Sequence, residues 1–309
     1  MVNIVFYNLN HIGDCYISSF FINLIVEQNP NIIFNYYFIQ GDSFIKNRPN
    51  ISRINKEEFN NRYSKELHSG EAPENLINNN FLKFLLSNNF QKSQVRMENY
   101  NNTNYLFLNT WCASPIVFHS DIDLNGAFEG WKKLILDVKK QLNVELIFDL
   151  KPNIDFVNIF TDYNDYKLND EEMKKMKDII FIFNYQPRTI ASFNIGERNR
   201  LIESLINNNK VMLANYEKQF ENNNVLFFDR KFNIKPTPDC LNLKYMWDII
   251  CHCKKIVILP TGSSWTFLHK LKDLKNDQIY IHQGDSYITK LNNNIRLIDK
   301  NTEVQIKKI

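Results

Sequence analysis

The chain has 309 residues, of which 44% are hydrophobic and 23% charged, as expected for a globular protein of two domains. Its formal charge of +3 and its lack of a dense block of Lys and Arg argue against a nucleic-acid partner. Five scattered cysteines, an odd number, fit a reducing compartment better than a disulfide framework.

A strand, a turn and a helix are predicted at the start of the chain. Residues 4–7 form an apolar run short enough for a buried strand, and residues 8–14 form a polar turn. Apolar side chains then recur at helical spacing over residues 17–25. This order is the first half of a βαβ unit, in which ligands lie beyond the carboxyl end of the strand. The turn supplies three candidate site residues: His11, Gly13 and Asp14.

The first 26 residues do not have the pattern of a membrane anchor or a signal peptide. Polar residues between Asn8 and Asp14 interrupt the apolar run well short of the ~20 residues that a membrane helix needs. No basic residue precedes the run. Runs of Asn and an excess of Lys over Arg are typical of AT-rich genomes, as in some intracellular bacteria and large DNA viruses. We therefore expect the cytoplasm of a cell or of a virus-infected host, and no transmembrane segment.

Further elements follow along the first half of the chain. Strands are predicted at residues 32–39 and 105–108, and an amphipathic helix at residues 126–142. Residues 48–104 are polar and irregular, and we assign no chemistry to them. Residues 151–178, rich in Asp and Asn, are the predicted linker with a connecting helix.

After the linker the opening pattern returns. Its elements are, in order, strand 179–183, turn 184–194, helix 197–206, strands 211–214 and 225–228, helix 240–253 with Asp239 as its N-cap, strand 256–259, turn 260–264, helix 265–271 and strand 279–282. Such alternation predicts an α/β fold with two parallel-sheet domains, residues 1–165 and 166–309. We leave open a return of the C-terminal tail to the first domain.

A second informative stretch follows the strand at residues 256–259. There the strand ends in small residues that begin a helix, where backbone N–H groups suit a phosphate. The hydroxyls of Thr261, Ser263 and Ser264 add hydrogen-bonding groups at the same place. A simpler interpretation is that Ser263 or Ser264 caps the helix, and the two roles are compatible.

Two motifs carry a resemblance to a known family. N-H-I-G-D-x(4)-S near the start and P-T-G-S-S-W near the end resemble motifs of the bacterial heptosyltransferase-like glycosyltransferases, glycosyltransferase family 9. That resemblance implies the GT-B architecture, two Rossmann-like domains facing across a cleft, with the acceptor on the first domain and the nucleotide sugar on the second. The chain departs from the family at Pro260 and Trp265, where the family has aspartate and histidine.

The resemblance also implies roles for individual residues. Asp14 stands where the family has the base that activates the acceptor hydroxyl, and His11 lies beside it in the same turn. Arg188 stands where a basic residue contacts phosphate, and Glu217 stands near the place of a glutamate close to the ribose. The implied nucleotide-sugar-binding residues are Gly13, Arg188, Glu217, Thr261, Gly262, Ser263 and Ser264.

The implied activity is inverting, metal-independent transfer of a sugar from a nucleotide-diphosphate donor to a glycan or other hydroxyl acceptor. The nucleotide sugar is a co-substrate, and no further cofactor is expected. Each catalytic assignment has a structural alternative. Asp14 could cap the first helix, His11 could hydrogen-bond the backbone of the turn, and Arg188 could form a surface ion pair.

Two other clusters allow metal chemistry. Asp121 and Asp123 form a D-x-D triplet, which in GT-A glycosyltransferases holds a divalent ion and the donor diphosphate. Cys251, His252 and Cys253 suggest zinc only superficially, because adjacent helical residues point in different directions and no second ligand pair has zinc spacing. We favour two buried cysteines on a helix.

Three alternatives to this activity stay open. The first is a non-catalytic relative that binds sugars or nucleotides, which Pro260 and Trp265 favour. The second is a metal-dependent GT-A enzyme that uses Asp121 and Asp123. The third is a sugar-nucleotide 2-epimerase of the same architecture, which needs no acceptor.

Overall fold

The computed structural model describes residues 2–8, 12–38, 44–53, 95–100, 102–110, 124–143, 145–149, 168–184, 194–232, 240–259, 266–270, 273–274, 279–281 and 306–308. The chain divides into two compact units, Met1–Ile154 with Asn158–Thr161, and Asp155–Val157 with Asp162–Ile309. Each unit contains a largely parallel sheet and helices, so the predicted two-domain α/β fold is confirmed. The predicted boundary between residues 165 and 166 lies outside the described residues.

The described part of the first unit contains a five-stranded sheet in the order β3-β2-β1-β5-β4. Its elements are β1 (Val2–Asn8), α1 (Ile12–Gln28), β2 (Phe34–Phe38), β3 (Ile51–Arg53), β4 (Val95–Tyr100), β5 (Thr103–Asn109) and α2 (Leu124–Leu142). β1 is parallel to both of its neighbours, β2 and β5, whereas β4 is antiparallel to β5. The core lies between sheet and helices, where Trp131 stacks on Phe21 with ring centroids 5.4 Å apart.

Strands β3 and β4 lie within residues 48–104, which the sequence pattern assigned to irregular structure. β4 is an edge strand of polar composition, with Met97 and Asn99 exposed, so it lacks the apolar alternation of a half-buried strand. It joins β5 through a two-residue loop, because Tyr100 pairs with Thr103. Asn102 in that loop has a φ of 61°, a left-handed conformation that Asn tolerates better than most residues.

Helix α1 begins at Ile12, earlier than the predicted turn over residues 8–14 allows. Its apolar face starts there, because Ile12 and the neighbouring Cys15 are both buried. Asp14 is therefore the third residue of the helix and not its N-cap.

The described part of the second unit contains a six-stranded parallel sheet in the order β11-β10-β9-β6-β7-β8. Its strands are β6 (Ile179–Phe183), β7 (Lys210–Leu213), β8 (Val225–Phe227), β9 (Lys255–Ile258), β10 (Ile279–Ile281) and β11 (Ile306–Lys308). Its helices are α3 (Asp170–Met176), α4 (Ile195–Asn208), α5 (Phe228–Lys231) and α6 (Cys240–Ile250), with 3-10 turns at Lys218–Phe220 and Leu268–Lys270. All of β6 is buried, as its continuous apolar run predicts.

Helix ends in the second unit follow local capping chemistry. Asn169 and Glu172 form a capping box at the start of α3, the predicted connecting helix. Asn194 caps α4 by accepting the Glu197 N–H.

α6 ends at Ile250, so Cys251 and Cys253 lie in the turn after the helix and not on it, although both are buried as predicted. Among the described helices, none combines the length and apolar character that crossing a membrane requires.

Candidate functional site

The sheet of the second unit has a topological switch point between β6 and β9. From β6 the chain proceeds outward through β7 and β8, and then returns to the other side of β6 to form β9, β10 and β11. In open α/β sheets, ligands bind beyond the carboxyl ends of the strands at such a point. Phe183 and Ile258, which end β6 and β9, are partners in the strand register. The described residues that follow them, Asn184 and Leu259, therefore stand at the same edge of the sheet on neighbouring strands.

Most of the predicted diphosphate-binding residues belong to the two segments that follow Asn184 and Leu259. Arg188 lies in residues 185–193, and Thr261, Gly262, Ser263 and Ser264 lie in residues 260–265, all outside the described residues. The described ends of both segments are nevertheless fixed, by Asn184 and Asn194 for the first and by Leu259 and Thr266 for the second.

The second segment is anchored on α6 where it re-enters the described chain. The indole N–H of Trp247 donates to Thr266 Oγ1 over 3.0 Å in the core. The next residue of α6, Asp248, binds the ammonium group of Lys270 at 2.7 Å and that of Lys244 at 3.2 Å. Burial disfavours the charge of Lys270, but hydrogen bonds and charge from Asp248 and Asp273 outweigh it and raise the Lys270 pKa above its ordinary value.

A buried polar cluster lies at the carboxyl ends of β6 and β7, and Asn184 connects its two sides. Asn184 directly follows β6 and is 1% exposed. Its Oδ1 accepts the Asn215 N–H at 2.8 Å, and its Nδ2 donates to the Asn215 carbonyl at 2.9 Å and to Glu217 Oε1 at 2.6 Å. Because Asn215 and Glu217 follow β7, these bonds hold the two strand ends together.

The carboxylate of Glu217 is the acceptor at the centre of this cluster. Oε1 accepts from Asn184 and Arg198, and Oε2 accepts from Arg198 at 3.0 Å and from Gln219 at 2.9 Å. Two bonds to each oxygen match the lone pairs of an ionised carboxylate. Its side chain is 19% exposed, and of its donors Gln219 is the one on an exposed residue.

Arg198 is the cationic partner of this cluster and is fully buried on α4. Both terminal nitrogens of its guanidinium donate to the Glu217 carboxylate, and Nη2 also donates to the carbonyl of Asn184 at 2.5 Å. Its Nη1 donates to Asn199 Oδ1 at 2.8 Å as well.

A second layer of contacts supports the loop after β7. Asp229, which follows β8, accepts the Tyr216 N–H at 3.1 Å. The guanidinium of Arg230 stacks over the Tyr216 ring, 3.1 Å from its centroid. These contacts fix Tyr216, the residue that precedes Glu217.

Sequence reasoning selected Glu217 but missed the residues that hold it. Asn184 and Asn215 stand directly after predicted strands, which is a recognisable position for site residues. Arg198 stands one turn before Ile202 and two turns before Ile206, which are both buried. It is therefore a charged residue on an otherwise apolar helix face. That mismatch is the signal that could have identified it.

The first unit has its own switch point between β1 and β5. Tyr7 and Asn109, near the ends of these strands, are register partners. Thr110 donates to the carbonyl of Tyr7 from both its backbone N–H and its hydroxyl, each at 3.1 Å. Gly13 is buried and, with Asp14, lies in the first turn of the helix that leaves this edge, whereas His11 lies outside the described residues.

Of the two clusters that could bind a metal, the structure describes the cysteines but not the two aspartates. Asp121 and Asp123 lie outside the described residues. Burial raises the pKa of Cys251 to about 11 and that of Cys253 further, which keeps both as thiols near neutral pH. Within the part of the chain that the structure describes, no group of three or more His, Cys, Asp and Glu side chains could hold a metal ion.

No protein-family model matches the chain, and no curated protein sequence matches it. Among solved structures, Escherichia coli heptosyltransferase WaaC with ADP is similar to it. The similarity covers 99% of this chain and 93% of that one, with a TM-score of 0.42 and 8% sequence identity. At this identity no residue's role passes from one protein to the other.

Proposed function

We propose that this protein is a glycosyltransferase that moves a sugar from a nucleotide-diphosphate donor to a hydroxyl of a glycan or other acceptor. The second unit binds the donor and the first binds the acceptor. Transfer inverts the anomeric carbon and uses no metal, and the nucleotide sugar is the only co-substrate besides the acceptor.

The observation that carries this proposal is the pairing of Phe183 with Ile258 at the switch point. It supports a shared site for the two segments that the sequence associates with a diphosphate. Arg188 offers positive charge, and the hydroxyls of Thr261, Ser263 and Ser264 offer hydrogen bonds. Gly262 allows the backbone to approach the phosphates closely. Such groups favour departure of a diphosphate, because negative charge develops on it in the transition state.

Glu217 receives the nucleoside ribose in this proposal. Its carboxylate already accepts four hydrogen bonds, so a ribose hydroxyl must replace one donor. Gln219 is the donor to replace, because it is exposed while Asn184 and Arg198 are buried. The other three bonds then keep the carboxylate oriented toward the ribose.

Asp14, in the first turn of α1, is the proposed base in the first unit. His11, three residues before it in the sequence, assists it, and Gly13 belongs to the proposed nucleotide-sugar-binding residues. Asp14 takes the proton of the acceptor hydroxyl while the oxygen of that hydroxyl forms its bond to the anomeric carbon. The bond from that carbon to the diphosphate breaks at the same time, and the nucleoside diphosphate leaves with the electron pair. A single displacement of this kind inverts the configuration of the carbon.

Binding of nucleoside diphosphates tests the proposal most simply. A thermal-shift panel of ADP, GDP, UDP and CDP identifies the preferred base, and calorimetry then compares the wild type with Arg188→Ala. We expect Arg188→Ala to weaken binding by about tenfold or more, because a charge-assisted phosphate contact is lost. Arg200→Ala, an exposed arginine of α4, is the matched control and should bind normally.

Two results would reject the donor site: no binding of any of the four nucleotides, or equal affinity of the wild type and Arg188→Ala. Binding of sugar nucleotides without turnover toward any acceptor would favour the non-catalytic alternative. Activity that disappears with EDTA and returns with manganese would favour the site at Asp121 and Asp123.

A further inference from the structure

Arg198 is an unusual residue to find at a fully buried position of a helix. Removing a guanidinium from water is unfavourable, and replacement of both members of a buried ion pair by well-packed apolar side chains often gives a more stable protein. Its Nε atom, moreover, is buried without a hydrogen-bond partner among the described residues. Stability alone therefore does not account for an arginine here.

The guanidinium of Arg198 fixes the residue after which the segment that carries Arg188 begins. Asn184, the last described residue before residues 185–193, accepts a hydrogen bond from Arg198 Nη2 at its carbonyl. The carbonyl of Asn194, the first described residue after the segment, accepts the backbone N–H of Arg198 at 3.0 Å, an ordinary bond of the first helical turn that any residue except proline makes. The arginine side chain therefore acts on the Asn184 end of the segment.

The same guanidinium orients the loop after β7. Its two terminal nitrogens bind both oxygens of Glu217, a planar fork-to-fork arrangement that fixes the carboxylate in direction as well as position. Lysine cannot make this pair of bonds, because its ammonium group is a point charge without a planar fork.

We propose that Arg198 is a positioning residue of the donor site, which fixes Asn184, the residue before the segment that carries Arg188, relative to the Glu217 carboxylate. This inference rests on the proposed function, in which Arg188 binds the diphosphate and Glu217 binds the ribose. Arg198 contacts no substrate and acts through the Asn184 carbonyl and the Glu217 carboxylate.

Two variants test this role, Arg198→Lys and Arg198→Met. The first keeps the charge and loses the fork, and the second keeps much of the volume and removes the buried charge. Calorimetry with the nucleoside diphosphate that stabilises the wild type most should give about tenfold weaker binding for either variant. Arg200→Lys and Arg200→Met, on the exposed side of the same helix, should bind as the wild type does.

Thermal unfolding of the same proteins separates positioning from stability. We expect Arg198→Lys, which keeps a cation beside Glu217, to unfold at a temperature close to that of the wild type while its affinity falls. Arg198→Met should unfold at a lower temperature, because it leaves the Glu217 carboxylate without its cation. A double-mutant cycle adds a readout that a purely structural role would not change. Arg198→Lys should weaken binding by about threefold in the Arg188→Ala background instead of about tenfold, since one of the two residues that it positions is gone.

Failure of this inference is distinct from failure of the proposed function. If the wild type binds a nucleoside diphosphate and Arg188→Ala weakens it, normal binding by folded Arg198→Lys and Arg198→Met would overturn the positioning role alone. Additive effects of the changes at positions 188 and 198 would also overturn it. If the wild type binds none of the four nucleotides, both proposals fall together.

Discussion

Asn184 and Glu217 are 33 residues apart in the sequence, and a hydrogen bond of 2.6 Å joins Nδ2 of the first to Oε1 of the second. They follow adjacent parallel strands, so this bond crosses the carboxyl edge of the sheet. The proposed donor site requires this edge of the sheet to be rigid. Substitutions that remove the hydrogen bond between Asn184 and Glu217 therefore test that requirement.

Asn184→Asp should destabilise the protein by about 3 kcal/mol at pH 7, because it replaces a buried donor by a second carboxylate beside Glu217. The deficit relative to the wild type should shrink toward pH 4.5, where protonation relieves the repulsion. Urea unfolding at both pH values measures this. Asn222→Asp, in an exposed turn where Oδ1 accepts a hydrogen bond, is the control. Equal unfolding midpoints for Asn184→Asp and the wild type at pH 7 would contradict the arrangement.

Thr266→Val should cost about 1–3 kcal/mol of unfolding free energy, because it leaves the buried indole N–H of Trp247 without its acceptor. Valine has nearly the same shape, so the loss reports the hydrogen bond and not a cavity. Thr266→Ser keeps the hydroxyl and should lose less. If valine and serine variants unfold at the same denaturant concentration, the bond does not anchor the segment.

The buried His269 should make the free energy of unfolding fall at acid pH. Burial, followed by the charges of Lys270 and Lys244, holds its pKa well below 6.5, so the folded protein keeps it neutral while the unfolded chain takes up a proton. The unfolded state then binds more protons, and stability falls as the pH drops below about 6.5, by at most about 1.4 kcal/mol per pH unit. His269→Gln should flatten this slope in urea unfolding between pH 7 and 5. The exposed His252→Gln should not, and an unchanged slope in His269→Gln would refute the assignment.

Asp14→Asn should reduce sugar transfer by about a hundredfold or more while leaving donor affinity within about twofold, because the amide cannot accept the acceptor proton. Release of nucleoside diphosphate in the presence of an acceptor measures transfer, and calorimetry measures donor binding. Asp137→Asn, on α2 of the same unit, is the matched control. Full activity of Asp14→Asn would remove it as the base.

Much of the fold follows from patterns that the sequence displays. The run at β6 and the helical spacing of α2 and α4 are local signals, so their existence and type were predictable within a few residues. Strand β4 was not, because an edge strand needs an apolar face less than a central one, and its pairing with β5 is a tertiary effect. The pair Asn101-Asn102 between β4 and β5 was the feature of the sequence that could have indicated a turn.

The candidate site was predictable only in part. Glu217 was found through a resemblance, whereas Asn184 and Arg198 were not, because their roles arise from contacts between segments distant in the sequence. A charged residue on an apolar helix face can be recognised without a structure, but its partner cannot be identified that way. The early start of α1 was missed because Ile12 stands among polar neighbours.

Hydrogen–deuterium exchange with and without the preferred nucleoside diphosphate locates the donor site along the chain. A donor site at this edge of the sheet should slow exchange in peptides that span β6 to the start of α4, the loop from β7 through Phe220, and the end of β9 through Lys270. Protection confined to peptides of the first unit, or no protection anywhere at saturating nucleotide, would contradict a donor site at this edge of the sheet.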